Sequence, residues 1–130
     1  MFSHDDILTP LAVTVIIDTH IRDPELNEFC SQAEHLINLF SLPTLSNKDL
    51  RKWFNDNLEG IRGKLNGPRK NTFILRALTR FTDDLHVENL YDAMVSISVS
   101  DQEYRREESE LIKSAASIWG YRRPPIKVVD

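Results

Sequence analysis

The chain has 130 residues, 41% of them apolar and 28% charged, with a net charge of −4 and a pI near 5.5. That length can bury a real core in one domain, and the balance is that of a soluble globular protein, not a disordered chain. The longest apolar run, "LAVTVII", falls far short of the roughly 20 residues that cross a bilayer. The acidic start "MFSHDDILTP" is unlike a signal peptide, and Cys30, the single cysteine, excludes an internal disulfide and a cysteine zinc cage. A cytoplasmic protein is expected.

Nearly every long segment reads as helix. "VTVII" and, later, "VSISVS" have the β-branched composition of strands, but both lie inside longer helical patterns and are read as helix. In "ELNEFCSQAEHLINLF" the apolar residues Leu26, Phe29, Cys30, Ala33, Leu36, Ile37 and Phe40 keep the spacing of one helical face. Asp23 is the expected N-cap, with Pro24 in the first helical position, and "SLP" closes the helix. Ser46 with Asp49 forms a shortened capping box for the next helix, which buries Leu50, Trp53, Phe54, Leu58 and Ile61. Asn66-Gly67-Pro68 forces a turn, with Gly67 expected in the left-handed region. "NTFILRALTRF" and "HVENLYDAMVSISVS" are two more helices, and "EESELIKSAASIWG" ends at Gly120, a natural C-cap. The domain is expected to span 1–121, and the proline-broken tail 122–130 to be extended.

The charge is unevenly placed. From Lys48 to Arg80 there are nine Lys/Arg against Asp49, Asp56 and Glu59, a net of +6, so the flanks must carry −10 to give the chain's net −4. Arg62, Lys64, Arg69 and Lys70 cluster on the turn "RGKLNGPRK" and form a candidate anion-binding site for nucleic acid or another anionic surface. The acidic pI argues against nucleic acid and for a solvated turn that offsets acidic neighbours.

A shift of 83 residues, the distance from Asp18 to Asp101, aligns two acidic stretches without a gap. Arg22 then falls on Arg105, Glu25 on Glu108 and Ala33 on Ala116. In each copy an apolar helix ends near an Asp, a loop follows, and a Glu seven positions on opens the next helix. Such a repeat implies an all-α single domain of two pseudo-symmetric helical hairpins joined by two central helices.

"IDTHIRDPE" and "SDQEYRREE" resemble the signature of the tellurite-resistance TerB-like family, which reads approximately A-D-G-x-(hydrophobic)-x-x-x-E once in each half of an all-α domain. The resemblance implies a non-catalytic, stress-associated interaction module with a protein partner or self-association, and divalent cation binding through Asp18, Glu25, Asp101 and Glu108. His20 and Glu103, at corresponding loop positions, are possible additional ligands. Carboxylates suit Ca²⁺ or Mg²⁺, and His20 would tilt the preference toward Zn²⁺. Where the family has Gly after the Asp, this chain has Thr19 and Gln102, for which a left-handed backbone is costlier, so a reshaped loop is expected. Without any ligand, the same Asp and Glu positions are favoured by helix capping and the helix dipole, with Arg22 and Arg105 as ion-pair partners.

An EF-hand is excluded. The twelfth positions counted from Asp18 and Asp101 are Phe29 and Ile112, and no Gly stands sixth. Cys30 lies on an apolar stripe and reads as core, and His4, His35 and His86 are scattered. There is no phosphate-binding glycine loop, nucleophile elbow or HExxH, and Glu107 and Glu108 are neighbours that point apart on a helix, so no enzymatic activity is expected.

Overall fold

Helix α1 (His4–Ile16) is the element around which the others pack. A computed structural model describes residues 1–121 and the backbone of 128–129. From Ile7 to Ile17 every residue except Thr9 is buried, the condition of a helix with protein on all sides. The β-branched run is therefore helical, as the longer pattern indicated, because burial outweighs a preference worth only tenths of a kcal/mol per residue. Ser3 and Asp6 cap α1 reciprocally. Pro10 sits inside the helix and removes the N–H that would reach the Asp6 carbonyl.

Helix α2 (Asp23–Leu39) begins one residue earlier than the sequence suggested. Arg22 is the N-cap, because its carbonyl already accepts the Leu26 N–H at 2.9 Å, and Pro24 is the second helical residue. Ser41 at φ 57° ends the helix, where the Leu42 N–H reaches back to the Ile37 carbonyl. Helix α3 (Asn47–Leu65) opens with the expected Ser46–Asp49 box. In the turn after α3, Gly67 has no positive φ, contrary to expectation. Space there is tight instead, since a Cβ would lie 3.2 Å from the Gly63 carbonyl oxygen. Helices α4 (Lys70–Thr79), α5 (Asp84–Val99) and α6 (Arg106–Trp119) follow, and α6 ends at Gly120 with φ 77°.

The chain is an all-α domain: α1 and α2 form one hairpin, α5 and α6 another. They meet where α5 packs on both α1 and α2, while α3 and α4 lie against α1. Phe29, Phe54 and Phe81 are among the largest fully buried side chains, and Cys30 is core. Trp53, expected inside, is half-buried because its indole N–H donates to Asp5 at 2.7 Å. Two short strands were not foreseen: β1 (Tyr104–Arg105) pairs in parallel with β2 (Val128–Val129). The rest of the expected extended tail, 122–127 and 130, lies outside the described residues. Among those described, no helix is long and apolar enough to cross a membrane.

Candidate cation site between the repeated loops

The loop after α1 and the loop after α5 share a left-handed turn and two of its hydrogen bonds. Thr19 has φ 70° and Gln102 φ 66°. The Thr19 N–H donates to the Ile16 carbonyl and the Gln102 N–H to Val99, equivalent positions 83 residues apart. The Asp18 carboxylate accepts the His20 N–H at 3.1 Å, and Asp101 accepts the Glu103 N–H at 3.1 Å. Both loops make a left-handed turn, and they make it on residues that resist it. For a β-branched Thr this is a genuine outlier, at a cost of about 1–2 kcal/mol.

Each Asp then holds the Arg four residues on. Arg22 donates to Asp18, and Arg105 donates to Asp101 at 2.7 Å and to Glu103. Arg22 also crosses between the repeats, its Nε 3.6 Å from Asp101 Oδ2. Asp101 thereby receives both guanidiniums and is the electrostatic junction of the two hairpins.

The glutamates that open the second helix of each hairpin lie deepest. Glu25 and Glu108 are both 0% exposed. Glu108 Oε1 accepts the Arg105 main-chain N–H at 3.2 Å, while its Oε2 and both oxygens of Glu25 have no donor. Two carboxylates can bond to each other only when one carries a proton. Burial, then the adjacent Glu108, then Asp18 and Asp101 push Glu25 up to about 10. Burial also raises Glu108, opposed by its bonds to Glu25 and to the Arg105 N–H. We assign the proton to Glu25, which has no other source of a hydrogen bond. Burial raises Asp101 too, but its bond from Arg105, the Glu103 N–H and the charges of Arg105 and Arg22 outweigh it and hold it below the usual carboxylate range.

With every carboxyl ionised, Asp18, Glu25, Asp101 and Glu108 against two guanidiniums would leave two uncancelled negative charges in a buried cluster. Protons or one divalent cation can remove that excess. The oxygen-only donor set and the undonated Glu oxygens suit a hard cation. With both arginines in place, however, no three His, Cys, Asp or Glu side chains among the described residues surround a point a metal ion could occupy. His20 is exposed, with Nδ1 3.2 Å from the Asp18 carbonyl oxygen, and Glu103 is exposed and engaged by Arg105. Neither reaches into the glutamate pair.

No protein-family model, no curated protein and no solved structure matches this chain.

The basic turn is divided differently from its reading in sequence. Arg62 is paired with Glu59 at 2.6 Å, and Lys70 is half-buried at the start of α4. Lys64 and Arg69 line a groove together with Arg76, a residue the turn's sequence did not single out. Arg76 stands three residues after Phe73 and so shares its helical face.

Proposed function

We propose that this chain is a non-catalytic interaction module of the TerB-like kind, in which two repeated loops take up a divalent cation at the junction of two helical hairpins. One observation carries the reading: two fully buried, adjacent glutamates that receive a single N–H between them, from Arg105, beside Asp18 and Asp101 of two loops with the same left-handed turn. Buried carboxylates without donors are costly unless a proton or a cation stabilises them. Ca²⁺ and Mg²⁺ fit the all-oxygen set better than Zn²⁺, because His20 is exposed with its Nδ1 at the Asp18 carbonyl and Cys30 belongs to the core.

Arg22 and Arg105 hold the aspartate oxygens a cation would need, so binding requires them to swing outward. Both are half-buried side chains at the loop surface, where that movement needs no core rearrangement. The exchange would replace two tethered charges by one ion shared between hairpins. That would alter the surface around α2 and α6, where a protein partner or second copy would read the change. Displaced protons from the glutamate pair would leave with the arginines' release.

Calorimetric titration of the metal-free chain with Ca²⁺, Mg²⁺, Mn²⁺ and Zn²⁺ tests the reading, beside Asp18→Asn/Asp101→Asn. Saturable heat with Ca²⁺ or Mg²⁺, lost in the variant and dependent on the buffer's ionisation enthalpy, is expected. Absence of heat with every ion, with both proteins folded, would leave an arginine-clamped scaffold and refute the cation site.

A further inference from the structure

The acidic cluster leaves the basic middle of the chain without a role. Between the end of α3 and the exposed face of α4 lies a groove of about 430 Å³, lined by the exposed side chains of Lys64, Arg69 and Arg76 and by no carboxylate. None of these three has an ion-pair partner among the described residues. Lys52, Arg62 and Arg80 on the same two helices and the residue after them are each paired, with Asp56, Glu59 and Asp6. Among the described residues the groove thus gathers three positive charges that no carboxylate cancels.

The groove also has an apolar side. Phe73 is half-buried, with Lys64 Nζ 5.1 Å from its ring centroid, and Pro68 lies beside it. Gly63 completes the wall, and a Cβ there would meet nothing within 4 Å, so the wall is open to approach. Three cations around an aromatic face match a ligand with several negative charges close together and a small body. A long polyanion fits worse. Asp5 and Asp6 line the adjoining cleft that shares Phe73 and Arg76, and the chain as a whole is −4, so an extended strand leaving the groove meets repulsion.

We propose that this groove binds a compact molecule carrying two or three linked phosphates, held by Lys64, Arg69 and Arg76. The site is independent of the cation reading, and its test is run in chelator so that either can fail alone. Binding of inorganic pyrophosphate and of ADP would be followed by calorimetry for the native chain, Lys64→Gln/Arg69→Gln/Arg76→Gln and Gly63→Leu. The control is Lys48→Gln, about 24 Å away along α3 at 1.5 Å per residue.

Saturable binding that weakens about ten-fold or more in the triple variant, falls with added salt and is unchanged in the control is expected. Gly63→Leu, which fills the groove without removing charge, should weaken it as well. ADP binding tighter than pyrophosphate would assign a body resting on Phe73, and equal affinity would assign free polyphosphate. Absence of binding at millimolar ligand, native affinity in the triple variant, or single-stranded oligonucleotide bound more tightly as it is lengthened would each overturn the proposal.

Discussion

Replacing Glu25 by Gln changes one buried proton and little else. In the native chain Glu25 is pushed up to about 10 from the 4.5 of a free carboxyl. Between those values the folded state holds a proton that the unfolded state has released. The unfolded state therefore binds fewer protons, and stability falls as pH rises, by about 1.4 kcal/mol per pH unit for one group. The stabilisation is fully present below about pH 4.5 and is lost progressively up to about pH 10. At pH 7.5 the loss amounts to about 4 kcal/mol, a large part of the stability of a small domain. Gln keeps the shape, carries no charge in either state, and its amide can donate to Glu108 as the proton did. Urea unfolding at about pH 5.5, 6.5 and 7.5 in chelator should show the native chain gaining stability on acidification, while Glu25→Gln is flatter and more stable at pH 7.5 by about 2–4 kcal/mol. Asp101, held low, contributes in the opposite sense, but its stabilisation is lost only below the usual carboxylate range and leaves this window untouched. Equal slopes in the two proteins would refute the reasoning, because Glu25 would then be ionised in the fold.

The remaining predictions concern the loops. Thr19→Gly should stabilise the chain by about 0.5–1 kcal/mol, since relief of a left-handed Thr exceeds the added chain entropy of Gly; thermal unfolding of the single variant and of Gln102→Gly checks this. Arg22→Met removes the guanidinium that spans the two repeats and should destabilise the metal-free chain by about 1–3 kcal/mol. If the arginine competes with a cation, the same variant binds Ca²⁺ more tightly than the native chain. Weaker Ca²⁺ binding in a folded Arg22→Met would count against the exchange.

The six helices, two of their caps and most of their buried faces follow from local rules in this sequence. Ser46 with Asp49, Gly120 and the three–four spacing in α2 each act through bonds or contacts within a few residues, and these need no knowledge of the rest of the chain. The repeat, too, was legible, because Asp18 and Asp101 act within their own loops. Where local preference and burial disagreed, only the packed structure decided. "VTVII" is helical because α1 is enclosed by its neighbours, Gly67 is favoured by the nearness of the Gly63 carbonyl, and β1 depends on a partner more than twenty residues away.

The chemistry of the cluster belongs to the tertiary structure. Spacing puts a Glu seven residues after each Asp, but only the docking of the two hairpins brings Glu25 and Glu108 together out of water, and their shared proton comes from that burial. Likewise Arg62 and Arg76 are indistinguishable as letters, yet one is neutralised by Glu59 a turn away and the other is left facing a groove. Sequence by itself determined which residues carry charge and roughly where the helices lie. Charge cancellation is a matter of distance and dielectric, which the chain acquires only once its helices have packed.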